Sequence, residues 1–163
     1  VRSGLGVPPS ARLVLITMGG VEHAFEFVPR LARWPDTFFV MPTTGDTRQM
    51  SHNVLALAQT SGLYHPDLVR ACDVVVGKNG YSTMAEVYAA GVPFGYVLRP
   101  GFRESDVIAA YVDAHMPSLG LTAAEFDTGA WLERLPELLR LPRATSPRPN
   151  GATQVAQFIR QLL

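Results

Sequence analysis

Three short apolar runs, each broken by a glycine-containing or proline-glycine loop and followed by a helical pattern, constrain this chain more than any other feature. Leu13 to Thr17, Asp73 to Val76 and Pro93 to Leu98 are nearly free of polar alternation, the pattern of strands buried on both faces. Strands of that kind sit in parallel sheets under two layers of helices, because a parallel pair needs a crossover long enough to hold a helix. Right-handed crossovers then give an α/β, Rossmann-like, doubly wound parallel sheet with helices on both faces. In such a sheet ligands collect at the carboxyl ends of the strands. Three loops fall at that edge: Met18-Gly19-Gly20, Gly77 to Ser82, and Arg99 to Glu104.

The rest of the chain fills in around those strands. Val1 to Ser10 reads as a linker or leading arm rich in Gly and Pro. Apolar positions from Ala24 to Ala32 have helical spacing, closed by Pro35. Thr37 to Met41 and Val54 to Leu57 are further strands, the second weaker, with a polar loop from Pro42 to Asn53 between them. Helices are expected over Pro66–Cys72, Thr83–Ala90, Glu104–His115, Ala130–Leu141 and Gly151–Leu163, with Gly91 as a left-handed C-cap. Ser118 to Leu121 fits a short edge strand, and Pro142 to Pro149 a proline-rich connection.

Composition bounds the function classes. With 163 residues, 47% hydrophobic and 17% charged, the chain is neither disordered nor too small for a core. No run approaches the roughly 20 apolar residues of a membrane helix, so no transmembrane segment is expected. Lys+Arg and Asp+Glu both number 14, and a net charge of zero argues against a nucleic-acid partner. The single cysteine, Cys72, excludes an internal disulfide and a cysteine-cluster metal site, and a reducing, cytoplasmic setting is the default. It sits beside a strand and reads as a small core hydrophobe. His52, His65 and His115 show no mutual ligand spacing, so no metal is expected. A start at Val1, without Met or a signal-peptide pattern, suggests a piece of something longer.

The loop Gly77-Lys78-Asn79-Gly80-Tyr81-Ser82-Thr83 joins a strand to a helix. Glycine there lets the backbone approach an anion, and the first N–H groups of the helix lack internal partners. Ser82 or Thr83 can cap the helix and donate to a phosphate oxygen. The Walker spacing is absent, which disfavours triphosphate hydrolysis. A plain βα turn with a Ser/Thr cap explains the same residues equally well. Glu86, three residues after Thr83, either accepts hydrogen bonds from a ribose diol or closes a capping box. Lys78, the one lysine, either neutralises a diphosphate or points into solvent. His23 is either a phosphate donor or, more simply, a surface histidine near a helix start.

From Ala71 through Glu86 to Ala90-Gly91-Val92-Pro93, the chain resembles the signature of the C-terminal domain of GT-B glycosyltransferases. Within that group it is similar to the family of the N-acetylglucosaminyltransferase that makes peptidoglycan lipid II. The Gly-Lys-x-Gly-Tyr loop, followed by a strand, Arg-Pro and an acidic residue, also resembles the glycosyltransferase-like half of sugar kinases such as arabinokinase. The resemblance implies a single domain over 1–163, the C-terminal half of a two-domain protein whose missing N-terminal domain binds the acceptor. The implied ligand is a nucleotide-sugar, UDP-linked, and the implied chemistry is hexosyl transfer with no cofactor. It implies that Glu86 holds the ribose, and that Gly80, Tyr81, Ser82 and Thr83 face the diphosphate with Lys78 and Asn79 beside them. Gly19 and Gly20 match the opening glycine loop. Arg99 and Glu104 fall where relatives carry Gln or Asp-Gln for the donor sugar; this loop has no Gln, and Arg99 fits a structural ion pair as well. A non-catalytic binding module and a nucleotide-sugar 2-epimerase remain the alternatives. The catalytic residues are not legible, and an isolated domain is expected to bind without turnover.

Overall fold

In the computed structural model, which describes residues 1–19, 25–144 and 151–163, the apolar runs become the middle of one seven-stranded sheet. Its strands are β1 (Arg12–Thr17), β2 (Thr37–Thr43), β3 (Arg48–Ser51), β4 (Val54–Ala58), β5 (Val74–Lys78), β6 (Phe94–Val97) and β7 (Ser118–Leu121). They lie in the order β3-β4-β2-β1-β5-β6-β7. Every pairing is parallel except β3 with β4, so the sheet is mostly parallel with one antiparallel edge strand. The chain winds outward from β1 through β2 to β4, returns to place β5 on the other side of β1, and continues to β6 and β7. The winding reverses between β1 and β5, where Val14 to Thr17 pair with Val74 to Gly77.

The helices are α1 (Val28–Leu31), α2 (His65–Ala71), α3 (Tyr81–Ala90), α4 (Arg103–His115), α5 (Ala123–Thr128), α6 (Leu135–Arg140) and α7 (Gly151–Leu162). Alternation along β1 assigns them to two layers. Leu13 and Leu15 pack with Leu68 of α2, Val87 of α3 and Ile108 and Val112 of α4. Val14 and Ile16 face the other way, onto Leu31 of α1, Phe126 of α5, Trp131 and Leu135 and Leu138 of α6. Because successive strand side chains point to opposite faces, a strand buried on both must be apolar throughout, as β1 is from Leu13 to Ile16. The second layer closes on an aromatic cluster, with Phe27 edge-on to Trp131 at 5.5 Å and to Phe126 at 5.6 Å between ring centroids. Residues of α7 are all exposed, including Val155, Phe158, Ile159 and Leu162 on its apolar stripe.

Several elements differ from the sequence reading. The polar segment between β2 and β4 is not wholly loop: β3 pairs with β4 there, with a bulge between Gln49 and Ser51. Asn53 is also buried, and its Nδ2 lies 3.0, 2.9 and 2.9 Å from the carbonyls of Leu31, Trp34 and Thr37, tying α1 to β2. The helix expected from Ala24 is described only over Val28–Leu31; Ala24, with Gly20 and His23, lies outside the described residues. The helix expected over Ala130–Leu141 splits into a 3-10 turn (Ala130–Arg134) and α6, with Pro136 in the first turn of α6. An additional helix, α5, starts in a capping box in which Thr122 and Glu125 exchange hydrogen bonds. The leading arm is pinned: Arg2 pairs with Asp73 at 3.0 Å and donates to the Ala71 carbonyl.

Candidate functional site

The reversal point brings two loops together. Gly77, the fourth residue of β5, pairs with Thr17, and a Cβ there would overlap the Thr17 carbonyl oxygen. Glycine therefore lets the ends of β1 and β5 close up. Just beyond Thr17, Gly19 has φ +63°, a left-handed conformation that favours glycine, and its N–H donates to Thr17 Oγ1 at 3.2 Å. The Lys78 side chain lies across it: a Cβ on Gly19 would meet Lys78 Cε at 2.5 Å and Nζ at 2.9 Å. The single lysine thus rests over the first glycine loop, half-buried.

The turn into α3 differs in detail from the expected cap. The N-cap is Gly80, in extended conformation, with no side-chain cap, and the helix starts at Tyr81. Neither Ser82 nor Thr83 caps it. The first intrahelical bond recorded at this end runs from Met84 N–H to the Gly80 carbonyl. The N–H groups of Tyr81, Ser82 and Thr83 precede it in the first turn, where an α-helix leaves its donors unpaired and its dipole positive. Thr83 is buried, while Tyr81 and Ser82 are exposed.

Glu86 does not close a capping box. One of its carboxylate oxygens, Oε2, lies 2.5 Å from Nδ1 of His65, the first residue of α2. Both side chains are partly exposed and line a cavity of about 310 Å³, together with Thr17, Gly19, Ser82 and Thr83. Leu57, Leu63 and Leu68 supply an apolar wall. That volume is at the small end of ligand pockets, and an apolar wall beside a few convergent polar groups is the usual make-up of one.

The other residues singled out by sequence stand apart from this cavity. Asn79 is turned inward: its Nδ2 donates to the Ser105 carbonyl at 2.9 Å, bracing β5 against α4, and its Oδ1 is buried without a partner among the described residues. Arg99 follows β6; its guanidinium carbon lies 3.4 Å from the centroid of the Phe102 ring, and its N–H donates to Ser105 Oγ. Glu104 is exposed in the first turn of α4. His65, by contrast, carried no sequence signal as a site residue. It is 21 positions from Glu86, and only the packing of α2 beside α3 joins them.

No family model matches the chain. The L-arabinokinase of Arabidopsis thaliana is 23% identical over 162 residues, which is 99% of this chain and 15% of that protein. Among solved structures, the spinosyn forosaminyltransferase superposes with a TM-score of 0.63 at 20% identity, over 86% of this chain and 38% of the other. The kitacinnamycin glycotransferase gives 0.63 at 19% identity, over 82% and 36%. The calicheamicin glycosyltransferase gives 0.60 at 21%, over 82% and 36%. The chain thus spans well under half the length of each of these four proteins. In its mostly parallel seven-stranded sheet, reversing between β1 and β5, the chain has the α/β, Rossmann-like fold of one part of these GT-B glycosyltransferase structures.

Proposed function

We propose that this domain binds a nucleotide-sugar and serves as the donor half of a glycosyltransferase whose acceptor half lies outside the chain described. The observation that carries the reading is the convergence of Gly19, the start of α3 and Glu86 on one cavity at the reversal of the sheet. In this reading the α3 N-terminus and the Lys78 ammonium hold the diphosphate, and Glu86 accepts hydrogen bonds from the ribose hydroxyls. Transfer of a hexosyl group would then gain from fixed amide dipoles that stabilise the departing diphosphate as its negative charge develops. UDP is the nucleotide proposed. The general base belongs to the acceptor half.

A second reading, a binding module without transfer chemistry, is favoured by one observation. Arg99 stacks on Phe102 and Glu104 is exposed, so neither lines the cavity that holds Glu86.

Calorimetry with UDP, ADP, GDP and pyrophosphate tests the nucleotide site common to both readings. Glu86→Ala is expected to weaken the best nucleoside diphosphate by about tenfold or more, since hydrogen bonds to a charged group contribute roughly 1.5–3 kcal/mol. Pyrophosphate should be nearly unaffected by that change. Lys78→Ala should weaken both ligands. Absence of binding by all four at about millimolar concentration, or equal losses for nucleotide and pyrophosphate in Glu86→Ala, overturns the assignment.

A further inference from the structure

The carboxylate assigned to the ribose is held by a second side chain in the same cavity. Resting on the nucleotide reading above, we infer that His65 is a positioning residue that fixes Glu86 for a vicinal diol and so makes the cavity select ribonucleotides. The argument starts from the glutamate. A free Glu side chain has three rotatable bonds, and immobilising them on binding opposes affinity. In α3, Ser82 and Thr83 stand four and three positions before Glu86, on the neighbouring turn. An unrestrained carboxylate can therefore turn back onto their hydroxyls. His65 Nδ1, at 2.5 Å from Oε2, gives the carboxylate a partner on another helix.

That partner leaves the chemistry needed for a diol. A carboxylate has about four lone-pair sites on its two oxygens, and the imidazole N–H uses one. The remaining sites can accept two hydroxyl protons from adjacent carbons. The position of His65 is itself set by packing: Leu68, three residues along α2, is buried in the same core cluster as Val87 of α3. The residue beside Glu86 is therefore placed before any ligand arrives.

The test compares a nucleoside diphosphate with its 2′,3′-dideoxy counterpart, using the best binder among UDP, ADP and GDP, with pyrophosphate as the control. Wild-type protein should prefer the ribonucleotide. His65→Ala should reduce that preference by about threefold or more while pyrophosphate affinity stays the same. His65→Asn, whose amide N–H can take the place of Nδ1–H, should restore most of the preference. An unchanged preference in His65→Ala overturns the positioning role and leaves the nucleotide reading standing. A parallel loss of pyrophosphate binding in both variants also overturns it, because the effect is then a general disturbance of the site. If wild type binds none of the nucleotides, this inference falls together with the reading on which it rests.

Discussion

Gly77→Ala is the sharpest test of how the site is assembled. Gly77 is on β5 opposite Thr17, the last registered pair of the two central strands. An added Cβ would sit inside the van der Waals envelope of the Thr17 carbonyl oxygen, 3.1 Å from Thr17 Cγ2 and 3.2 Å from the carbonyl carbon. Two of these three atoms are backbone in a paired strand, so no rotamer change relieves the overlap. Overpacking usually costs about 1–3 kcal/mol, and a backbone collision belongs at the upper end, about 3 kcal/mol. For a domain of this size, about 2–4 °C is lost per kcal/mol, so the melting temperature should fall by about 6–12 °C. Gly4→Ala is the control, because a Cβ there meets nothing within 4 Å; it should change stability by less than about 0.5 kcal/mol. Thermal melts followed by circular dichroism, with urea titration at constant temperature, measure both variants. A Gly77→Ala protein that melts with wild type would refute the claim that a bare backbone at this position lets β1 and β5 meet.

Two further measurements probe the opposite end of the sheet. Burial alone would raise the Asp73 carboxyl, but the Leu13 N–H at 2.7 Å and the Arg2 guanidinium outweigh it and hold it below its usual 3.8. A depressed carboxyl stabilises the fold fully above the unfolded value and loses that contribution as pH falls through the folded one. Asp73→Asn should therefore cost about 1–2 kcal/mol near neutrality, where charged hydrogen bonds are lost, with the gap from wild type closing as pH falls below the carboxyl's usual 3.8. An equal gap in acid contradicts the linkage. Burial, and secondarily the Asp73 charge, push the Cys72 thiol up to about 12. Disulfide-exchange reagents at mildly alkaline pH should label Cys72 only after urea unfolds the chain; prompt labelling of native protein would contradict its burial.

The sequence carried the sheet's centre and the edge at which ligands collect. Leu13 to Ile16 and Val74 to Val76 are apolar on both faces, and each run ends near a glycine, so periodicity alone located the strands and the loops after them. Gly91 announced the end of α3, and it takes φ +66° there. β3 left no such trace. Its residues are polar and mostly exposed, and only pairing with β4 makes Arg48 to Ser51 a strand. The start of α3 was displaced for a similar reason: Ser82 and Thr83 are good caps locally, yet the extended Gly80 already begins the helix.

Residue patterns thus determined the central strands, most of the helices that cover them, and that glycine loops open at one sheet edge. Tertiary structure alone decided that Lys78 lies over Gly19, that Asn79 turns inward to α4, and that His65 meets Glu86. Periodicity records how each segment divides itself between core and solvent, whereas contacts between segments depend on how separate helices pack, which no local pattern encodes.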